Sequence, residues 1–322
     1  MNVAVIGLGL IGGSLLRALA ADGHRVTGYD AGAETREAAR AQARSSGSTD
    51  AWRVADSIAE AVADTEVAVL AVPLPAIPGV LAGLGGYPGL ITDVTSVKGP
   101  VRNLIGDRRF VGGHPMAGKE SSGFAAGDPR LFDGCAWVLC LEPGDTDPAD
   151  WLALARLFTR LGARVVPVTA AEHDRAVAGI SHVPHLLAAA LSGVLAGNPL
   201  AGTLAAGSFR DGTRVAATRP ELIAAMCGGN APAVRQVLAA VIDDLASFAR
   251  ELELDDPIAA LTAGLRPSSE LRRAWPPRPG EPVEVPADVE ALLALGRAGG
   301  WVSAIKDGKV MGLRPETDRN GS

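Results

Sequence analysis

Aromatic side chains are scarce in this sequence of 322 residues, which holds six Phe, five Trp and two Tyr. Ala, Leu, Val and Gly dominate instead, a bias that favours closely packed helices and near approaches of one backbone to another. Cysteine is rarer still. Cys135, Cys140 and Cys227 show neither CxxC nor metal-ligand spacing, and they read as small buried residues of a reducing, cytoplasmic compartment. Positive charge is not in excess: a formal net charge of −6 argues against nucleic acid as a partner. An anionic substrate would therefore have to meet local cations rather than a basic overall field. Residues 3–20 are apolar, yet they lack a basic leader and are broken by glycines, so they read as a strand entering a helix rather than an export signal. No other stretch reaches the ~18 uninterrupted apolar residues of a membrane span. What the chain does have is 48% hydrophobic residues, enough for a large core shared between two domains.

The first half alternates short apolar runs (residues 3–6, 25–29, 67–72 and 90–92) with helical stretches around 14–21, 34–44, 57–63 and 76–84. Strands alternating with helices imply parallel pairing by right-handed crossovers, the doubly wound α/β plan. Further strands are expected over 110–112, 136–141 and 164–168, extending the same sheet. At Thr169 a capping box with Glu172 opens a helix that carries His173, His182 and His185. From there to about residue 265 only helical periodicity is found. The expected organisation is a nucleotide-binding domain over 1–168, an all-helical domain over 169–270, and a linker with a short C-terminal appendage over 271–322. In that last part, residues 287–298 read as an amphipathic helix, and 301–305 with 309–313 as a hairpin across Asp307-Gly308.

Gly7-Leu-Gly9-Leu10-Ile11-Gly12 places G-x-G-x-x-G between the first strand and the first helix. Gly7 permits the tight turn, Gly9 lets backbone approach a pyrophosphate, and Gly12 lets the helix lie close to the sheet, with the helix N-terminus facing the phosphates. Asp30 ends the second strand, eighteen residues after Gly12. A carboxylate there accepts from ribose hydroxyls and repels a 2′-phosphate, which points to NAD. Val72 and Pro73, at the end of the strand expected over 67–72, complete this candidate cofactor surface. Arg36 reads as a surface charge of the following helix.

Three clusters carry candidate chemistry. Ser96 and Lys98 follow a strand end, where α/β sheets build their sites. His114 lies on a Gly-rich loop and is the best-placed proton acceptor, since imidazole titrates near neutrality; Ser96 is close enough in the topology to share the same substrate oxygen. Lys98 is read as a helix-starting or surface lysine in preference to a catalytic amine. His182 and His185, at i and i+3, share a helix face. HxxH offers a metal only two ligands, so substrate contact is preferred and no metal is expected. Arg214 follows a turn and has the fork geometry to grip a carboxylate, a surface ion pair being the alternative.

Taken together, GLGLIGGSL (7–15), TDVTSVK (92–98), HPMAGKESSG (114–123), EHDRAVAGISHVPH (172–185) and FRDGTRVA (209–216) resemble the prephenate/arogenate dehydrogenase family in order and spacing. The resemblance spans residues 1 to about 265. It implies a Rossmann domain followed by a helical dimerisation domain, with the active site in the cleft between them and a homodimer formed through the helices. It also implies roles. His114 takes the proton of the substrate's ring hydroxyl and Ser96 orients that group. Arg214 holds the side-chain carboxylate. Ser181, His182 and His185 contact the substrate from the helical side, and Glu120 is an acid that pairs with the arginine and gates the site. The activity implied is NAD-dependent oxidative decarboxylation of prephenate to 4-hydroxyphenylpyruvate, in tyrosine biosynthesis. Arogenate, or 4-amino-4-deoxyprephenate in secondary metabolism, is the alternative substrate, and a non-catalytic NAD-binding sensor the alternative class. Thr95 stands where a glycine is common, and Ile223 where relatives often carry Trp. The tail is short for the ββαββ regulatory domain of some relatives, so tyrosine inhibition is not carried over.

Overall fold

The computed structural model describes residues 1–45, 52–119 and 121–316. Its first sheet consists of β1 (Asn2–Ile6), β2 (Arg25–Tyr29), β3 (Arg53–Val54), β4 (Val67–Leu70), β5 (Leu90–Asp93) and β6 (Phe110–Val111). They are ordered β3-β2-β1-β4-β5-β6, and every pair is parallel. The central strands β4 and β5 are buried at every position, as strands covered on both faces should be; β4 is wholly apolar, and β5 ends in the buried polar pair Thr92 and Asp93. Helices α1 (Leu10–Ala21), α2 (Ala33–Ser45), α3 (Ile58–Val62), α4 (Ile77–Leu84) and α5 (Gly99–Ile105) make the crossovers. This is the expected doubly wound plan.

The expectation of one extended sheet is corrected. β6 closes the first sheet after two residues, and the chain then turns into β7 (Gly113–Pro115), an antiparallel partner of β8 (Ala136–Cys140). β8 pairs in parallel with β9 (Arg164–Val168) through α6 (Pro148–Arg160). The break comes at Gly113, whose N–H turns away from a ladder to meet the Asp93 carboxylate at 3.0 Å. The second sheet is completed from the far end of the chain, by β10 (Val283–Val285), β11 (Trp301–Lys306) and β12 (Lys309–Leu313), in the order β10-β12-β11-β9-β8-β7. The hairpin turns at Asp307 and Gly308, both at positive φ. Helix α14 (Val289–Arg297) lies over β9, and Leu292, Leu293 and Leu295 are buried in the same hydrophobic cluster as Val3, Leu15, Trp137 and Trp151.

The helical part contains α7 (Ala170–Val177), a π-helical turn at Ala178–His182, α8 (Val183–Ser192), α9 (Pro199–Leu204), α10 (Gly207–Thr213), α11 (Pro220–Gly229), α12 (Ala231–Glu251) and α13 (Pro257–Ala274). The capping box at Thr169 is present: its hydroxyl accepts from Glu172 N–H, and the Glu172 carboxylate accepts from Thr169 N–H at 2.9 Å. The run Ala170–Leu195 is long and apolar enough, by length and composition, to cross a membrane. It is also the helix that carries His173, Asp174, His182 and His185, the first three of them buried.

Candidate active site

The glycine motif lies between β1 and α1. Gly7 has φ +99, and a Cβ there would collide with the Ala71 carbonyl and lie 2.8 Å from Val72 Cγ1. A side chain at Gly12 would drive into the Gly7 carbonyl, so β1, α1 and the end of β4 meet backbone to backbone. Gly9, in contrast, faces open space. It begins α1 in an extended conformation with no side-chain cap, so the first N–H groups at Leu10 and Ile11 have no competing side-chain acceptor. The Asp30 carboxylate accepts from Leu8 N–H and Gly32 N–H, each at 2.8 Å, tying the end of β2 to the glycine turn. Arg36 donates to the carbonyls of Asp30 and Ala31 and so holds this turn as well. An open glycine, an uncapped helix start and a nearby acid fit a dinucleotide: Leu10 and Ile11 would meet its phosphates and Asp30 its ribose.

The second centre is polar and buried. Asp93 at the end of β5 accepts from Gly113 N–H, Thr95 and the Lys98 ammonium, and Lys98 also donates to the Gly113 carbonyl. Lys98 is therefore not a surface residue; it is 1% exposed and pins the start of β7. Its ammonium is buried, and Asp93 is the partner that makes that burial tolerable.

His114 follows on β7, buried, with Nδ1 2.9 Å from Nε2 of His173. His173 Nδ1 lies 2.8 Å from Asp174 Oδ1. Asp174 also accepts from the N–H groups of Lys98 and Gly99, each at 2.8 Å. Burial pushes this carboxyl upward, but the bonds from His173, Lys98 and Gly99 outweigh it and hold it below the usual range. Burial pushes His114 well below the ordinary imidazole value, and His173, Lys98 and His182 add to that. His173 is also lowered, by burial first, with Asp174 opposing.

The helical side closes this centre. Asn230, between α11 and α12 and 5% exposed, donates to the Asp174 carbonyl at 2.7 Å and lies 3.2 Å from His182 Nδ1. His182 is fully buried, and its pKa is lowered by burial first and then by His173. His185 is half-buried, with Nδ1 2.8 Å from the Ser181 carbonyl. Arg214 is exposed and opens a short helical turn, Arg214–Ala217, packed against α8. Ser96 is half-buried in the loop that leads into α5. That loop meets the helical part closely: a Cβ on Gly229 would lie 3.3 Å from Val97. Glu120 lies outside the described residues. Among the described residues, no group of three or more His, Cys, Asp or Glu is arranged to hold a metal ion.

His173, Asp174 and Asn230 were not singled out as site residues from the sequence. His173 and Asp174 stand inside the EHD segment that carried part of the resemblance, which was the available signal. Asn230 had none, because its partner is 56 residues away.

A doubly wound domain with a dinucleotide-binding glycine turn, joined through buried histidines to a helical domain, defines a nucleotide-dependent dehydrogenase. The nucleotide-binding domain of prephenate dehydrogenases matches residues 15–167, and their dimerization domain matches residues 169–265. The chain belongs to the prephenate dehydrogenase family. It is 36% identical over 262 residues to the cyclohexadienyl dehydrogenase of Zymomonas mobilis, covering 76% of this chain and 86% of that one. It is 35% identical to the prephenate dehydrogenase of Bacillus subtilis over 69% of this chain, and spans 62% of that relative's length. A crystal structure of prephenate dehydrogenase from A. aeolicus, in complex with hydroxyphenyl propionate and NAD+, superposes with a TM-score of 0.74 at 26% identity, covering 85% of this chain and 97% of that one.

Proposed function

We propose that this chain is an NAD-dependent, cytoplasmic dehydrogenase that oxidises and decarboxylates prephenate to 4-hydroxyphenylpyruvate. The observation that carries the reading is His114. It is a buried imidazole held in its neutral form at the seam between the two matched domains, which is what a proton acceptor for a ring hydroxyl requires. Ser96, on the loop beside it, orients the same hydroxyl. Arg214 holds the side-chain carboxylate with its planar fork, assisted by Ser181, His182 and His185 from the helical side and gated by Glu120.

NAD, when bound on Gly7–Gly12, Asp30, Val72 and Pro73, supplies the hydride acceptor. The protein's share is to position the ring, to remove the hydroxyl proton at His114 Nε2, and to anchor the dianion. Once the ring oxygen becomes a carbonyl, it is conjugated to the carbon bearing the carboxylate. Loss of CO2 then follows with aromatisation, and no further protein group is needed. The family's dimerization domain, together with exposed Ile180, Leu200, Leu204, Ile258 and Leu271 on the helical part, supports a homodimer through this face.

The test is reduction of NAD or NADP with prephenate and with arogenate, side by side. Turnover with prephenate and NAD is expected. Turnover with arogenate alone would reassign the substrate, and none with either would overturn the reading.

A further inference from the structure

We propose that His173 and Asp174 are positioning residues that fix the tautomer of His114, and that His173, steadied by Asp174, then accepts the Nδ1 proton of His114 as the base takes up the substrate's proton. The assignment rests on the reading of His114 as the base, and deepens it. Asp174 accepts three hydrogen bonds, from Lys98 N–H, Gly99 N–H and His173, and is held in its ionised form by them. An acceptor on that side requires the proton of His173 to sit on Nδ1. A neutral His173 then has its lone pair on Nε2, which lies 2.9 Å from His114 Nδ1. His114 must donate across that contact. Its own Nδ1 carries the hydrogen, and Nε2 is left as the free, basic nitrogen.

The reversed arrangement would put protons on both nitrogens of His173. Burial and the neighbouring Lys98 oppose that cation in the resting protein, and Asp174 and Asp93 favour it. Among the described residues, the charged or titratable groups that act on His114 are His173, Lys98 and His182, none of them an acid. Among these groups a proton arriving at His114 meets no carboxylate. It meets one at the next imidazole. When the substrate O–H bond breaks and the Nε2–H bond of His114 forms, the Nδ1 proton passes to His173 Nε2. His114 returns to a neutral imidazole, and the cation forms on His173 against Asp174 at 2.8 Å. One proton enters and one moves on, and no other reactant is needed. The same carboxylate holds the backbone of Lys98 and Gly99, so it also fixes the loop that carries Ser96.

The arrangement can be read without turnover. Imidazole 15N NMR of the whole protein near neutral pH, with the His114 signals identified by their loss in His114→Asn, is expected to show Nδ1 protonated and Nε2 bare. The opposite tautomer in the wild type would overturn the proposal. Kinetics give the second arm: His173→Phe should lower kcat about ten- to a hundredfold and displace the acid limb of its pH profile, with substrate KM within about twofold of wild type. His173→Gln, whose amide oxygen still accepts from His114 Nδ1–H, should recover part of that loss. Unchanged kcat, or an effect confined to KM, in both variants would overturn it. Wild-type protein that turns over neither prephenate nor arogenate would defeat the functional reading instead, and the NMR result would still decide the His173–Asp174 arrangement.

Discussion

Asn230 donates a hydrogen bond of 2.7 Å to the backbone carbonyl of Asp174, and its amide also lies 3.2 Å from His182 Nδ1. One buried side chain thus bridges the junction of α11 and α12 to the helix that carries the histidines. Asn230 has little latitude: it begins α12 without capping it, its amide being turned inward to the helix that enters from the nucleotide-binding side.

Replacing Asn230 with Leu should leave the His182 ring without its partner and the Asp174 carbonyl with only the N–H of Ala178. Losing a buried hydrogen-bond donor typically costs ~1–3 kcal/mol. Chemical denaturation of the variant is expected to show a loss in that range. Stability equal to wild type would mean that water or a neighbouring group takes over the bond.

His114→Asn removes the proton acceptor while keeping a polar side chain of similar reach. A positioned general base contributes about 10²–10⁴ in rate, and kcat is expected to fall by that much. The Kd for NAD, measured by fluorescence titration, should hardly change, because the glycine turn and Asp30 are on β1, α1 and β2. Retained turnover would remove His114 from the reaction.

How much of this was legible in the sequence depends on how local each interaction is. The glycine turn, Asp30 and the Thr169 capping box are written within a few consecutive residues, and the structure has each at the expected element boundary. The second sheet was not legible. β8 and β9 have the composition of central strands, and nothing in residues 136–168 reveals that β9 has β11, from beyond residue 300, on its other side. Lys98 does start α5, as expected, but its surface alternative fails for a related reason. A lone lysine near a helix start is usually solvated, and only the contact with Asp93, itself buried by β5, makes its interior position tolerable. The His114–His173 contact joins residues 59 apart, across the change from strand to helical periodicity.

Lys98→Met would test that buried pair. Removing one partner leaves Asp93 charged in the interior, and such breaks cost about 3–5 kcal/mol. The double variant Lys98→Met with Asp93→Leu should recover part of the loss, although Gly113 N–H would still lack its acceptor. Thermal unfolding of both proteins makes the comparison. A double variant no more stable than Lys98→Met would show that the hydrogen bonds to Thr95 and Gly113 outweigh the ion pair.

Asp30→Ser should act on cofactor choice. The carboxylate's bonds to Leu8 and Gly32 order the turn, and its charge opposes a 2′-phosphate. Loss of one charge-assisted contact of ~1.4 kcal/mol is a tenfold change. The ratio of kcat/KM for NAD over NADP is expected to fall by about that factor or more. A ratio that stays fixed would place the discrimination on another group.

The pH dependence follows from the direction in which the buried histidines are moved. His114, His173 and His182 all lie below the ordinary value of 6.5, in each case through burial first. In the unfolded chain they take up protons near that value, and in the folded protein only at lower pH. Between those limits the unfolded state binds more protons, so stability rises with pH. Their contribution is therefore fully present above about 6.5 and is lost as the pH falls toward the lowered folded values. The base must be neutral to act, so the acid limb of kcat/KM should also fall below 6.5. Denaturation midpoints and initial rates from pH 8 downward would separate the two effects. A rate that declines above 6.5 while stability holds would mean that His114 is not lowered in the working enzyme, and that burial does not set its proton affinity.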